Sequence, residues 1–545
     1  MTEIEAASPL QQIGNTPTGD VSPEPGPMSP AADRRAPRML AAVDLGSNSF
    51  RMVIAREVGG ELQMIDRLRE GVRLGGHLDE QQNITLEGQV RAIRCLQKFG
   101  ERVVDFPPGT VRAVGTNTLR RARNTMSFLK EAEKALGHPI EVVSGQEEAR
   151  LIFLGVSHSV AGGPPRRLVV DIGGGSTECI LGEGQEALST ESLYMGCVSY
   201  TLSYFPGGRL TAKRFKKART AASLELRSIA SHYKKRGFDR ALGASGTILA
   251  VAEILRLQGW SRRGITAEGL ERLEQDFLER GHVDQLALEG LRRDRARVLP
   301  GGLAILRAVF ESFGLDRMFV SSGAMREGVL VDLHGRLRHE DTRELTIQGL
   351  VERYHVDLAQ AERVETLALR CLEQVAADWK LDTELSRTFL RWAARLHEIG
   401  LAIAHGGYHK HGAYILEHSD MDGFSFQNQR LLGLLVRGHR RKFPRELFLE
   451  LPNKREIRSA LRLCMLLRLA CLLSRTRSRR HTPDFELKAK GKRLRLIFPE
   501  GWLERHPLTR ADLVQESRYL GSVGLELVVK NAKGKTKKAD ESVET

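Results

Sequence analysis

The sequence predicts an α/β protein made of two related lobes, followed by an α-helical domain and a small C-terminal cap. Three observations carry this expectation. A short apolar run, Met39 to Val43, meets the polar turn Asp44-Leu45-Gly46-Ser47-Asn48-Ser49 and returns as the strand-like Phe50 to Ala55. The same grammar recurs where Leu168 to Val170 leads into Asp171-Ile172-Gly173-Gly174-Gly175-Ser176-Thr177-Glu178 and then Cys179 to Leu181. Such an internal repeat implies two lobes, each pushing a phosphate-sized loop toward a shared cleft. After Gly328 the pattern becomes helical, almost without strands until Leu494 to Phe498.

Taken in order, residues 1–38 are rich in Pro, Ser, Gly and Ala without hydrophobic periodicity, and are expected to form a disordered arm. Lobe I is assigned to 39–151 and lobe II to 152–335. The helical domain is assigned to 336–480 and the cap to 481–530. Residues 531–545, polar and Lys-then-acid, are expected to be a mobile tail. Apolar spacing of three and four predicts helices near 211–235, 266–295, 357–378 and 385–400. At 545 residues the chain is too long for a single hydrophobic core.

Hydrophobic residues at 41% and charged residues at 28% are ordinary for a globular chain, but a formal net charge of +15 is not, and it points to an anionic partner. Nucleic acid, anionic lipid and polyphosphate all satisfy charge alone. The six cysteines, Cys95, Cys179, Cys197, Cys371, Cys464 and Cys471, are scattered and form no C-x-x-C pair, so a reducing cytoplasm is the expected compartment. No apolar run approaches the roughly 20 residues that span a bilayer, and the N-terminus lacks the basic-then-apolar order of an export signal. Neither export nor membrane insertion is expected.

The chemistry is expected in four loops. The turn from Asp44 to Ser49 offers backbone N–H groups near Gly46, with the Asn48 amide and Ser49 hydroxyl, to phosphate oxygens. Three consecutive glycines at 173–175 let an anion approach the backbone closely. Gly243-Ala244-Ser245-Gly246-Thr247 precedes a helical pattern, and Ser321-Ser322-Gly323-Ala324 follows the strand-like Met318 to Val320. One such turn alone is ordinarily only a tight turn. An Asp at the mouth of both repeated loops is more specific, because carboxylates so placed, Asp44 and Asp171, suit Mg²⁺ at a phosphate site, with K⁺ as a further candidate cation.

Ser144-Gly145-Gln146-Glu147 reads as a capping box, in which the Glu147 side chain turns back to the Ser144 N–H. That leaves Glu148 without a structural task and free to face the cleft as a general base, the competing reading being a first-turn Glu favoured by the helix dipole. Thr116 to Arg120 follows the strand-like Val111 to Val114, and Arg120 suits a forked phosphate contact, whereas Arg121 and Arg123 read more simply as a solvated helix start.

The strings AAVDLGSNSF, GTNTLRRA, SGQEEARLIFLGV, VVDIGGGSTE, MGCVSY, YFPGG, GASGT, GLAIL and GAMREGVL, in this order over about residues 39–525, resemble the family of exopolyphosphatases and guanosine pentaphosphate phosphohydrolases. That family lies in the superfamily of actin, sugar kinases and heat-shock chaperone ATPases. The resemblance implies two actin-like, ribonuclease H-like lobes with duplicated β-hairpin phosphate loops. It places Glu148 at the water-activating glutamate, and Asp171 and Glu178 at acidic positions that shape catalysis and magnesium binding. Asp44, Asn48 and Arg120 match phosphate-loop positions, while Gly174, Gly175, Ser176, Ser245, Gly246 and Thr247 match positions that hold terminal phosphates. A homodimer is implied too.

Leu390, Ala393, Ala394, His397 and Leu401 share one helical face, in a segment that resembles the HD-type metal-dependent phosphohydrolase domain. Here His397 is followed by Glu398 instead of Asp and no matching ligand set is evident, so metal is not expected there. His405, His409, Lys410, His411, Arg437, His439, Arg440, Arg441 and Lys442 make this domain basic, as a polyanion channel or as a solvated face. The GTNTLR and HKHGAYIL strings and this basic domain favour inorganic polyphosphate as substrate. Guanosine pentaphosphate is the alternative substrate. A non-enzymatic alarmone- or RNA-binding regulator is a further alternative, and a kinase or ATPase follows only from the fold.

Overall fold

The computed structural model describes residues 38–160, 166–338, 340–381, 383–477 and 484–532. The expected N-terminal arm, apart from Arg38, and the expected tail beyond Ala532 lie outside them.

Lobe I opens with β1 (Met39–Leu45) and β2 (Phe50–Val58), paired antiparallel from Met39↔Arg56 to Leu45↔Phe50, so residues 46–49 form the hairpin tip. β3 (Glu61–Glu70) continues the meander, and α1 (Leu86–Val103) leads to β4 (Val111–Gly115). α2 (Asn117–Arg121), α3 (Thr125–Leu136) and β5 (Ile140–Val142) complete a sheet of order β3-β2-β1-β4-β5, in which β1, β4 and β5 run parallel. α4 (Gly145–Ser159) then leads out of the lobe.

Lobe II repeats this plan. β6 (Arg166–Ile172), β7 (Thr177–Glu183) and β8 (Glu186–Leu193) form the second meander. α5 (Cys197–Tyr204), α6 (Ala212–Arg236), β9 (Arg240–Gly243), α7 (Gly246–Leu257) and β10 (Ile265–Thr266) follow. α8 (Ala267–Arg280), α9 (Arg293–Ala296), α10 (Leu299–Phe313), β11 (Arg317–Val320) and α11 (Met325–Leu337) close the lobe. Its sheet order, β8-β7-β6-β9-β11 with β10 added at the edge, matches that of lobe I, and β6, β9 and β11 are again parallel. The helix expected over 266–295 is broken, because Gly281 takes the left-handed conformation at φ 69 and stops α8 at Arg280.

Alternation along the central strands explains the layering. Ala41, Val43 and Leu45 enter a core on the outer face of lobe I, and Leu168, Val170 and Ile172 enter the corresponding core of lobe II. Leu40, Ala42 and Val169 point the other way, into one shared core with α4 and α11. These two helices cross at glycines. A Cβ on Gly328 would stand 1.8 Å from the Leu151 carbonyl oxygen, and one on Gly155 would stand 2.1 Å from the Ala324 carbonyl oxygen. The division expected between residues 151 and 152 thus falls inside α4.

The C-terminal region is helical from α12 (Thr342–Arg353) through α13 (Leu358–Trp379), α14 (Glu384–Leu396), α15 (Tyr408–His418), α16 (Phe426–Gly438), α17 (Arg445–Leu449) and α18 (Lys454–Leu473). A small sheet, β12 (Glu486–Lys490), β13 (Arg493–Phe498) and β14 (Glu526–Asn531), shares that core with α19 (Trp502–Arg505) and α20 (Pro507–Gly521). Asn531, where the tail was expected to start, instead pairs with Phe498. α14 ends at Leu396, so Leu390, Ala393, Ala394 and His397 are buried as a face while Leu401 turns outward.

His397, His409 and His439 are buried together, with ring centroids 5.6 Å apart for His397 and His439 and 6.2 Å for His409 and His439. Burial pushes all three below the ordinary histidine value, His409 to about 4 with help from Arg437, Arg440, Lys410 and Arg441. The unfolded chain therefore binds protons here that the folded chain refuses. Stability from these groups is complete above about pH 6.5 and declines as pH falls toward about 4.

Two measurements follow from this architecture. Gly328→Ala forces apart two helix backbones and is expected to cost at least about 2 kcal/mol, read as a lowered thermal midpoint. On lowering the pH from 6.5 to 4, the thermal midpoint of His409→Gln is also expected to gain on that of the parent, because the variant lacks the depressed imidazole.

Candidate active site

The site is assembled at the facing ends of the two duplicated hairpins. Asp44 stands opposite Arg51 across β1–β2, and Asp171 stands opposite Glu178 across β6–β7. The repeat therefore places an acid–base pair in lobe I and two acids in lobe II. The loops also touch each other: a Cβ on Gly175 would lie 2.5 Å from the Asn117 amide oxygen, and one on Gly174 would lie 3.1 Å from Ser47 Cβ.

A cavity of about 100 Å³ lies between them, lined by Asp44, Asn48, Ser49, Glu148, Asp171, Gly174, Ser176, Ser245, Gly246 and Thr247, all singled out in the sequence. Three predicted residues lie outside this lining. Glu178 is buried beneath it and accepts from the Ser192 hydroxyl at 2.9 Å. Arg120 faces Glu148 rather than the cavity, its Nη1 donating to Glu148 Oε2 at 2.7 Å and to the Val143 carbonyl at 3.1 Å. Gly175 faces a second cavity of about 240 Å³, lined among others by Leu78, Gln82, Arg121, Val198, Ser199 and Leu202, which shares Ser47, Asn117 and Gly174 with the first.

Ser144 caps α4, its hydroxyl accepting from the Glu147 N–H at 3.0 Å, and Glu148 occupies the first turn of that helix. The expected return of the Glu147 side chain to Ser144 does not occur. Arg150 takes that carboxylate with two bonds of 2.7 and 2.9 Å, and the Gly423 N–H donates to it at 2.8 Å. Of the third loop, Ser245 caps α7, its hydroxyl accepting from the Ile248 N–H at 3.2 Å. In the fourth, Gly323 packs against Ser159 and Gly155 of α4, and only Ala324 of that turn reaches the cavity.

Arg51, Thr116, Asn117, Cys197 and Arg295 also line the cavity and were assigned no role in the sequence. Arg51 had a signal, since a hairpin whose tip is 46–49 must place it across from Asp44. Arg295 had none, because only tertiary folding brings α9 over Gly246.

Burial is the main cause that raises the site's acids. Asp44 is pushed up to about 7 and Asp171 to about 8; Glu148 adds repulsion to both, while Arg51 and Arg326 pull the other way. Glu178 is likewise raised well above the ordinary range, by burial and then by Glu148 and Asp171. Surplus buried negative charge on hard oxygen donors fits Mg²⁺, which is commonly held by one or two carboxylates together with substrate phosphates. Among the described residues, no group of three or more His, Cys, Asp or Glu is placed to hold a metal unaided.

Residues 53–337 match the Ppx/GppA phosphatase family, and residues 342–517 match Ppx/GppA phosphatase domain III. The chain belongs to the Ppx/GppA phosphatase family. It is 42% identical over 475 residues to a guanosine-5'-triphosphate,3'-diphosphate pyrophosphatase of Aeromonas hydrophila, covering 87% of this chain and 95% of that protein. A protein of the same description from Vibrio cholerae is 41% identical over 493 residues, covering 90% of this chain and 98% of its own length. Among solved structures, an exopolyphosphatase from Cytophaga hutchinsonii shares the fold with a TM-score of 0.50 and 23% identity, covering 55% of this chain and 98% of that one. In this Ppx/GppA phosphatase the expected two-lobed, actin-like α/β fold with a helical C-terminal domain is present. No helix among the described residues is long and apolar enough to cross a membrane.

The raised carboxyl of Asp171 yields a test of this Ppx/GppA phosphatase. A folded-state value near 8 against an ordinary 3.8 means that ionised Asp171 opposes folding from about pH 4 upward, fully above about pH 8. In magnesium-free buffer at pH 8.5, Asp171→Asn should raise the thermal midpoint by about 2–4 °C, measured by scanning calorimetry, although it alters the site.

Proposed function

We propose that this chain removes the 5'-terminal phosphate of guanosine pentaphosphate, leaving the tetraphosphate. The observation that carries this reading is its 40–42% identity, over 87–90% of its length, to relatives described as guanosine-5'-triphosphate,3'-diphosphate pyrophosphatases. The expectation drawn from the GTNTLR and HKHGAYIL strings favoured long polyphosphate; these relatives support the nucleotide branch instead. The second cavity supports it too, because a space of about 240 Å³ with Leu78, Val198 and Leu202 among polar side chains offers apolar surface that a bare phosphate chain does not need.

In this mechanism the terminal phosphate sits between the hairpin tips, where the backbone N–H groups near Gly46 and Gly174 to Ser176 hold its equatorial oxygens. Arg51 and Arg295 add positive charge at the cavity wall. Glu148 takes a proton from a water that attacks the phosphorus in line as the bond to the bridging oxygen breaks, and Arg120 fixes the carboxylate's orientation. Asp44 and Asp171 would hold Mg²⁺, which offsets phosphate charge when bound. Asn48, Ser49, Ser245 and Thr247 donate hydroxyl or amide contacts, and Glu178 sets the charge behind Asp171.

Polyphosphate remains a second substrate to be measured, because the net charge of +15 suits a long polyanion. Phosphate release with Mg²⁺ from guanosine pentaphosphate and from long-chain polyphosphate, side by side, decides between them. The expected result is a higher kcat/KM on the nucleotide and a loss of about 10²–10⁴-fold in kcat for Glu148→Gln. Faster polyphosphate turnover would transfer the reading to that substrate, and no release from either would leave a binding protein.

A further inference from the structure

The backbone that carries Glu148 is gripped from the helical domain. β5 is the edge of the lobe I sheet, and residues 423–427 cover that edge. Val143 forms an antiparallel bridge with Ser425. The Val142 N–H donates to Gln427 Oε1 at 3.0 Å, and Gln427 Nε2 donates to the Ile140 carbonyl at 3.2 Å. One turn into α4, Glu147 accepts from the Gly423 N–H, whose own carbonyl accepts from Arg336 Nη2 at 2.8 Å.

Behind this grip lies a buried set of charges that belongs to no step of the reaction. Asp332 of α11 accepts from Arg112 at 2.7 Å, from Arg150 at 2.5 Å and from Arg336 at 2.7 Å, and these arginines hold its carboxyl far below the usual range. Arg112 and Arg150 also meet Glu147, and Arg112 meets Glu141 of β5 at 3.1 Å. Buried charges so paired are strongly position-specific, because breaking one pair strands its partner. Lobe I, α4 and the helical domain therefore meet at Glu147, and Asp332 joins α11 to them through Arg112 and Arg150.

The path to the site is short. Arg120, which donates to Glu148, also donates to the Val143 carbonyl, and Val143 is the residue bridged to Ser425. We infer that the 423–427 segment of the helical domain positions Glu148, with Gln427 and Glu147 as positioning residues that set kcat without touching substrate. This rests on the reading of Glu148 as the base. Aligning a water with the bond to be broken is sensitive to small displacements, so loosening the β5–α4 junction should weaken the chemical step more than binding.

The test is a double-mutant cycle on the full chain, with Mg²⁺ and whichever of guanosine pentaphosphate or polyphosphate it hydrolyses. Gln427→Ala, at a residue that lines neither cavity, should lower kcat about 10-fold, with KM within about two-fold and a thermal midpoint near that of the parent. In the Glu148→Gln background the same change should alter the residual kcat by less than about two-fold. Glu147→Gln should act in the same direction, and Gln427→Ala carries the test if that variant does not fold. An unchanged kcat for Gln427→Ala, or an equal loss in both backgrounds, overturns the inference and leaves the reading of Glu148 standing. If Glu148→Gln alone leaves hydrolysis intact, the reading of the base fails, and the inference falls with it.

Discussion

Four carboxylates are gathered at the cleft and just beneath it, and both burial and mutual repulsion oppose ionisation there. Asp44, Asp171, Glu148 and Glu178 come from two hairpins and one helix start, and each group raises the free energy of its neighbours in ionised form. The protein offsets this unevenly. Arg51 stands across from Asp44, Arg120 meets Glu148, and Ser192 serves Glu178. Asp171 has no arginine across its strand pair, since the duplicated hairpin puts Glu178 where lobe I has Arg51. That asymmetry leaves the acids of lobe II without the counter-charge across the strand pair that Arg51 gives lobe I.

What could be read from the sequence follows from how local each cause is. The duplicated hairpins are written in a few contiguous residues, because an apolar strand, an Asp-x-Gly turn and a second strand need no distant partner. That Glu148 faces the cleft was also legible in a helix start whose cap is Ser144, although arginines and not the expected capping box hold Glu147. Glu147 was not, because Arg112 of β4, Arg150 of α4 and the Gly423 N–H of the helical domain take its carboxylate and outcompete the local cap. Gly281 could have marked the end of α8, yet the apolar spacing across it looked continuous. Leu401 was misplaced because α14 gives way to a short 3-10 turn at Ile399–Ala402.

Substrate choice had the weakest signal, for a physical reason. A terminal phosphate presents the same oxygens whether it ends a nucleotide or a polymer, so a loop pattern suited to one suits the other. Discrimination must arise where the rest of the substrate lies. On this chain the side chains beyond the hairpin tips, Leu78, Gln82 and Leu202 among them, belong to none of the loops that drew attention to the site.

The glycine crossing of α4 and α11 constrains how the cleft can move. Backbone meets backbone at Gly155, Ala324 and Gly328, so neither helix can slide lengthwise without driving a carbonyl into its neighbour. The buried pair of Arg150 on α4 and Asp332 on α11 fixes their rotation as well. Glu148 lies in the first turn of α4, Ala324 and Met325 at the start of α11, and all three line the cavity. The two helices thus meet without side chains between them, so a displacement of one is passed directly to the cavity wall that the other supplies.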